Sequence, residues 1–306
     1  MNYAELLAPD FSLILLGFLL CRYTALNRAV WEQAEKLVFF VFFPVLLFHS
    51  IVRSPLDLSA TSGLIMGGLT LAGCGIALAY VLPYLPWLGA RIDRREHAAC
   101  AQIGFRFNSF IALAMAERLA GPEGLLLIAV LIGVCVPVFN IAAIWPMARH
   151  SETHFGRELL RNPFIIATVS GLLANLMGFH IPSWLEPSVS RIGAGSLALG
   201  LMAAGAGMRL GSIAKAKALS VAVLLIKHMV LPLVALLLSH ALGLSKIQTL
   251  VLLAFSALPT APTAYVLAAR MGYNGPLVAG LVTLSTLLGL LSLPFAIALS
   301  TLRPWT

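Results

Sequence analysis

Charge is what this sequence has least of. Aspartate, glutamate, lysine and arginine make up 10% of its 306 residues, against about 25% in a soluble globular chain. Acids are the scarcer kind, 12 against 20 lysines and arginines, which leaves a formal net charge of +8. The basic residues stand singly or in threes between apolar runs. That arrangement is not a phosphate-binding face, so no nucleic-acid partner is expected. Cys21, Cys74, Cys100 and Cys135 fall in or beside apolar stretches, with no CxxC and no histidine–cysteine cluster. Neither a disulfide framework nor a zinc site follows, and no cofactor or metal is expected. Paired acids, a DxxD run, a GxSx nucleophile with a histidine and HExxH are missing from the apolar segments. A membrane-embedded protease or transferase, and enzyme function generally, is therefore not expected. The opening MNYAELLAPD has no basic stretch, and no A-x-A site follows the first apolar run. Residues 1–24 read as a retained first helix rather than a cleaved leader.

Apolar residues are what the chain has in excess, at 60% of the total and a mean hydropathy of +0.95. A chain of this kind has lipid as its solvent. Apolar stretches of helical length lie at 6–24, 36–53, 62–86, 97–119, 123–148, 161–179, 190–210, 215–241, 246–270 and 275–302. These predict ten transmembrane helices in an all-α integral membrane protein. The odd-numbered loops hold Arg22, Arg28, Lys36, Arg91, Arg94, Arg95, Arg149, Arg157, Arg161, Arg209, Lys215, Lys217 and Arg270. The even loops and the C-terminus hold Arg53, Arg118, Arg191, Lys246 and Arg303. This bias puts the odd loops in the cytoplasm and both termini outside. The most charged stretch, PWLGARIDRREHAAC at 86–100, reads as a cytoplasmic loop.

An offset of 151 residues lays Asn108 on Pro259, Ser109 on Thr260, Gly121 on Gly272 and Gly124 on Gly275. The same offset carries the first span onto the sixth and the fifth onto the tenth. Five spans repeated once give a second copy upside down relative to the first, a pattern of secondary transporters. The boundary falls between residues 150 and 151, with 1–150 the first repeat and 151–306 the second. Within the ninth span, SALPTAPTAYVLAARMG holds Pro259 and Pro262 beside Thr260 and Thr263. Each proline removes a helix donor and costs roughly 3 kcal/mol in a helix interior. The pair either kinks a packed helix or opens it, with RFNS in the fourth span as its counterpart.

LVFFVFFPVLLFHSI (37–51), VPVFNIAA (136–143), RNPFIIATVSGLL (161–173) and ALPTAPTAYVLAARMG (257–272) resemble the bacterial auxin efflux carrier family. That family includes proposed malonate transporters and is related to plant PIN-type carriers. The resemblance implies a five-plus-five inverted repeat similar to that of sodium–bile acid symporters, in a bacterial inner membrane. It implies a scaffold of spans 1, 2, 6 and 7 and a transport domain of spans 3–5 and 8–10. Broken helices 4 and 9 would cross at the substrate site, and homodimers would form through the scaffold. Plant members have a proline before the span 4 asparagine. Phe107 stands there in this chain, a departure from the symmetric proline-on-proline pattern.

The candidate substrate-binding residues are Arg106, Asn108, Ser109, Asn140, Lys227, His228, Pro259, Thr260, Pro262 and Thr263. Arg106 either meets a substrate carboxylate or snorkels to the cytoplasmic interface. Lys227 either attracts an anion or takes the place of a cation in ion-coupled relatives. For His228 the alternatives are a ligand and a structural hydrogen bond, and for Asn140 a substrate contact and an interhelical bond. His49 reads as interfacial, and Pro44 as a kink. The interior ionisable candidates, Arg106, Lys227 and His228, are basic, whereas Asp10, Glu117 and Glu123 lie near span ends. A cavity lined this way suits a small organic anion, malonate-like or auxin-like, moved by alternating access within membrane lipid. A channel or solute sensor on the same fold is the alternative. Coupling to protons or to sodium is left open.

Overall fold

The computed structural model describes residues 3–53, 58–148, 163–208 and 217–302. Arg149, Arg157, Arg161, Arg209, Lys215 and Arg303, used above for orientation, lie outside the described residues. Among the described residues helix is the only regular secondary structure. In chain order the helices are α1 (Tyr3–Tyr23), α2 (Arg28–Arg53), α3 (Leu58–Val81), α4 (Arg94–Cys100), α5 (Ser109–Ala148), α6 (Pro163–Leu176), α7 (Glu186–Ala206), α8 (Lys217–Ala241), α9 (Lys246–Ala257), α10 (Thr263–Arg270) and α11 (Gly275–Leu299).

Among the described residues five segments are long and apolar enough to cross a membrane on their own: Arg28–Arg53, Thr61–Tyr84, Leu126–Met147, Lys217–Ala241 and Gly275–Leu299. The fourth and ninth apolar stretches fall short because each is interrupted. One is α4, a 3₁₀ turn at Ala101–Gly104 and the start of α5; the other is α9 and α10. The outward faces are greasy: Leu237 on α8 is 69% exposed and Leu291 on α11 is 72% exposed. Water would penalise such a surface, and lipid does not.

Side-chain caps explain four of the helix starts. Asp93 caps α4 through the amide of Glu96 at 2.8 Å. Ser245 and Gln248 form a reciprocal capping box on α9, and Asn274 caps α11 through the amide of Leu277. Asn27 caps α2, which therefore starts at Arg28 rather than near residue 36. Likewise, part of the charged stretch 86–100 is not loop. From Arg94 it is helix, with His97, Ala98, Ala99 and Cys100 buried. α2 and α8 each contain a π turn, at Val38–Phe42 and Ile226–Val230, shortly before Pro44 and Pro232. The widened turn accommodates the missing donor and the ring of each proline.

α1 packs on α7, and α2 on α6 and α7. The α1–α7 approach is close enough that a β-carbon on Gly17 would strike the Met202 carbonyl, and one on Gly205 that of Ile14. Small residues at such crossings let helix backbones touch in an apolar solvent. On the other side α3, α5, α8, α9 and α11 pack together. Gly121 and Gly272, matched by the 151-residue offset, both take positive φ, 57° and 74°. Gly121 breaks α5 after its first three turns, and Gly272 follows α10. A side chain at either position would be strained.

Candidate functional site

The two interruptions meet. At Phe105–Asn108 the chain leaves helical geometry, and at Leu258–Pro262 it does so again. The amide of Asn108 donates to the carbonyl of Pro259 at 2.7 Å. In return the Thr260 hydroxyl donates to the Ile103 carbonyl at 2.9 Å. Each break thus fills part of the other's missing backbone bonding, which buried segments must do. Pro259 and Pro262 account for the second break. No proline marks the first, and its amide finds a partner only in the second.

Arg106 lies inside this meeting point, 8% exposed. Its Nη1 donates to Gln102 Oε1 at 3.0 Å, and its Nη2 to Asn140 Oδ1 at 3.2 Å and Thr263 Oγ1 at 3.1 Å. Among the described residues no carboxylate pairs with it. Its partners are neutral, so its charge is solvated but not cancelled. Gln102 is fully buried and spends its own amide on the carbonyls of Ala99 and Ala264. This fixes the acceptor oxygen that holds Arg106. The Asn140 amide nitrogen is buried with no hydrogen-bond partner among the described residues. Such a group is costly unless something else satisfies it.

The ten candidate residues therefore divide by place. Arg106, Asn140 and Thr263 form one hydrogen-bonded cluster. Asn108, Pro259 and Thr260 form the contact between the breaks; Ser109 opens α5 and is buried, and Pro262 immediately precedes α10. His228 stands apart from Arg106's bonding. Its Nδ1 pairs with Ser292 Oγ at 2.7 Å and its Nε2 with Ser285 Oγ at 2.9 Å. Ser285 Oγ also accepts the Thr260 amide at 3.0 Å, and Ser292 donates to the Ala257 carbonyl at 3.3 Å. His228 thus braces the second break through α11. Lys227 is 2% exposed and forms no ion pair among the described residues. His49 pairs with Glu186 at 2.9 Å, and Arg53 reaches the same oxygen at 3.0 Å, joining α2 to α7.

Phe107, just before Asn108, packs edge-on against Phe255, ring centroids 4.7 Å apart, and against Phe139 at 5.9 Å. An aromatic wedge, rather than a second proline, fills the first break. Gln102, Ser285 and Ser292 escaped the sequence reading. Gln102 precedes Arg106 by one helical turn, and Ser285 and Ser292 lie seven apart on one face of α11. Those spacings were their only signal.

Both half-helices that begin at the breaks, α5 from Ser109 and α10 from Thr263, start beside Arg106 and its partners. Their positive ends add to the guanidinium charge. A polar, cationic cluster where two interrupted helices meet inside an apolar bundle belongs to a membrane transport protein. A family model described as membrane transport protein matches residues 93–297, which include both breaks. The chain belongs to that family, the auxin efflux carriers whose motifs its sequence resembles. No curated protein matches it.

Proposed function

We propose that this chain is a secondary carrier for small organic anions. Ten crossings form two inverted repeats, 1–150 and 151–306. α1, α2, α6 and α7 are the fixed scaffold. α3–α5 and α8–α11 move as the transport unit, with the broken spans crossing at the substrate site. Arg106 supplies the charge that receives a carboxylate. The Asn140 amide supplies a second donor, and the Asn108, Thr260 and Thr263 region shapes the floor. Lys227 adds a second buried basic group, which favours anions over neutral solutes when it carries a proton. The carrier sits in the inner membrane with both termini outside and pairs with a second copy through its scaffold.

One observation carries this reading: among the described residues, a buried guanidinium has only neutral partners, and the amide nitrogen of one of them, Asn140, has no hydrogen-bond partner. Buried charges ordinarily sit with a counter-charge. A carboxylate entering the site would satisfy both groups at once.

The test is uptake of malonate, succinate and indole-3-acetate into proteoliposomes. Arms with and without sodium, and at two pH values, identify the coupling ion. Saturable, exchangeable flux is expected, and non-saturating flux would make the protein a channel instead. No uptake or exchange of any acid would remove the anion reading.

A further inference from the structure

Thr263 and Tyr265 stand two residues apart at the start of α10. Thr263 belongs to the Arg106 cluster; Tyr265 reaches α2. On α2, Arg28 and Glu35 form a two-pronged ion pair, Nη1 to Oε1 at 2.8 Å and Nη2 to Oε2 at 2.9 Å. Arg28 Nη2 also donates to the Tyr265 hydroxyl, which in turn donates to Glu35 Oε2. The guanidinium lies over the Tyr265 ring, 5.4 Å from its centroid. Glu32 adds a contact to Arg28 Nε at 3.5 Å.

The far end of α10 is tied elsewhere. Arg95 donates to the Gly272 carbonyl at 3.2 Å and covers the Tyr273 ring, and the Tyr273 hydroxyl donates to the Met147 carbonyl at 2.8 Å. Those bonds hold the 271–274 turn to α4 and α5, inside the proposed transport unit. Tyr265 instead joins that unit to the scaffold.

We propose that Arg28, Glu35 and Tyr265 form a latch that clasps α10 to α2 and closes the substrate site on the side of the 24–27 loop. The proposal rests on the reading above that α10 moves and α2 does not. The ion pair lies wholly within α2, so the receptor for Tyr265 is preformed and survives opening. Only the tyrosine's two hydrogen bonds and its ring contact must break. That is a reversible cost, unlike the separation of a buried ion pair. Both hydrogen bonds engage charged groups, so removing them should move the closed-to-open ratio by roughly tenfold or more. The latch sits two residues from Thr263, which lets displacement of α10 alter the Arg106 cluster directly.

The experiment measures distances between spin labels in the full-length protein with its four cysteines replaced. One pair, at the exposed positions Gln33 and Ala269, reports on the latch. A second pair, at exposed Leu173 on α6 and Leu237 on α8, reports on scaffold against transport unit. Each is recorded with and without malonate and indole-3-acetate. Tyr265→Phe and Glu35→Gln should both enlarge the long-distance population of the first pair by about tenfold. Two populations in the second pair with an unaltered first pair in both variants would overturn the latch alone. A single, unmoved population in the second pair under every condition would overturn the division into fixed and moving units, and the latch with it.

Discussion

Replacing Asn140 by aspartate turns a neutral partner of Arg106 into a charged one of nearly the same shape. Asn140 Oδ1 lies 3.2 Å from Arg106 Nη2. The new charge centre would be about 4 Å from the guanidinium, where unit charges attract by roughly 4 kcal/mol at an effective dielectric of about 20. Burying the carboxylate costs several kcal/mol in return. The two effects nearly cancel in folding, so stability should change by no more than about 2 kcal/mol. Anion binding has no such compensation. An incoming carboxylate would find Arg106 neutralised and lose roughly 4 kcal/mol, about a thousandfold in affinity. Asn140→Leu instead removes the amide without adding charge, which should weaken binding by about tenfold. Thermal-shift titration with malonate, succinate and indole-3-acetate, alongside proteoliposome uptake, separates the two variants. If Asn140 only bonds between helices, Asn140→Asp should keep an affinity within about tenfold of the parent. That result, or equal losses in the two variants, would refute the anion-site reasoning.

Gln102→Leu strips Arg106 Nη1 of its acceptor and frees the carbonyls of Ala99 and Ala264. Stability measured by unfolding in detergent should fall by about 1–3 kcal/mol, with a higher half-saturation for uptake. Gly289→Ala drives a β-carbon into the Pro259 ring. A loss of about 1–3 kcal/mol is expected in thermal melts, with slower transport, because the Pro259 carbonyl holds the Asn108 amide. Glu186 precedes the seventh apolar stretch. Its hydrogen bond from His49, then the charges of His49 and Arg53, hold its carboxyl below its ordinary value of 4.5 against the opposing effect of desolvation. A lowered carboxylate adds stability above that value and loses it as pH falls through the folded value. Melts of the parent and Glu186→Gln should therefore differ at neutral pH and converge in acid; a difference that widens in acid would refute this tether.

The second break was legible in the sequence because proline states its effect locally. Pro259 and Pro262 cannot continue a helix whatever surrounds them. The first break carries no such mark. Phe105, Arg106, Phe107 and Asn108 are tolerable in a helix, and the interruption depends on a carbonyl 151 residues away. The internal repeat and the family resemblance pointed to it, and no residue of its own did. Gln102, Ser285 and Ser292 were illegible for a related reason. A lone polar residue in an apolar span looks the same whether it bonds to a neighbouring helix, a substrate or a functional arginine. His228 illustrates the converse. Its position left a ligand and a structural hydrogen bond open; both ring nitrogens meet hydroxyls of α11, a fact that depends on how α8 and α11 pack. The early start of α2 followed from Asn27 and the burial of Trp31, which hydropathy alone undervalues beside Glu32, Glu35 and Lys36.

Calorimetric titration of the purified protein with malonate, succinate and indole-3-acetate, repeated on Arg106→Gln, asks whether the buried guanidinium holds the substrate. Saturable binding of at least one acid is expected, weakened by about tenfold or more when the guanidinium is removed. Binding that survives Arg106→Gln unchanged, or no binding of any acid to a folded parent, would contradict a substrate site built around Arg106.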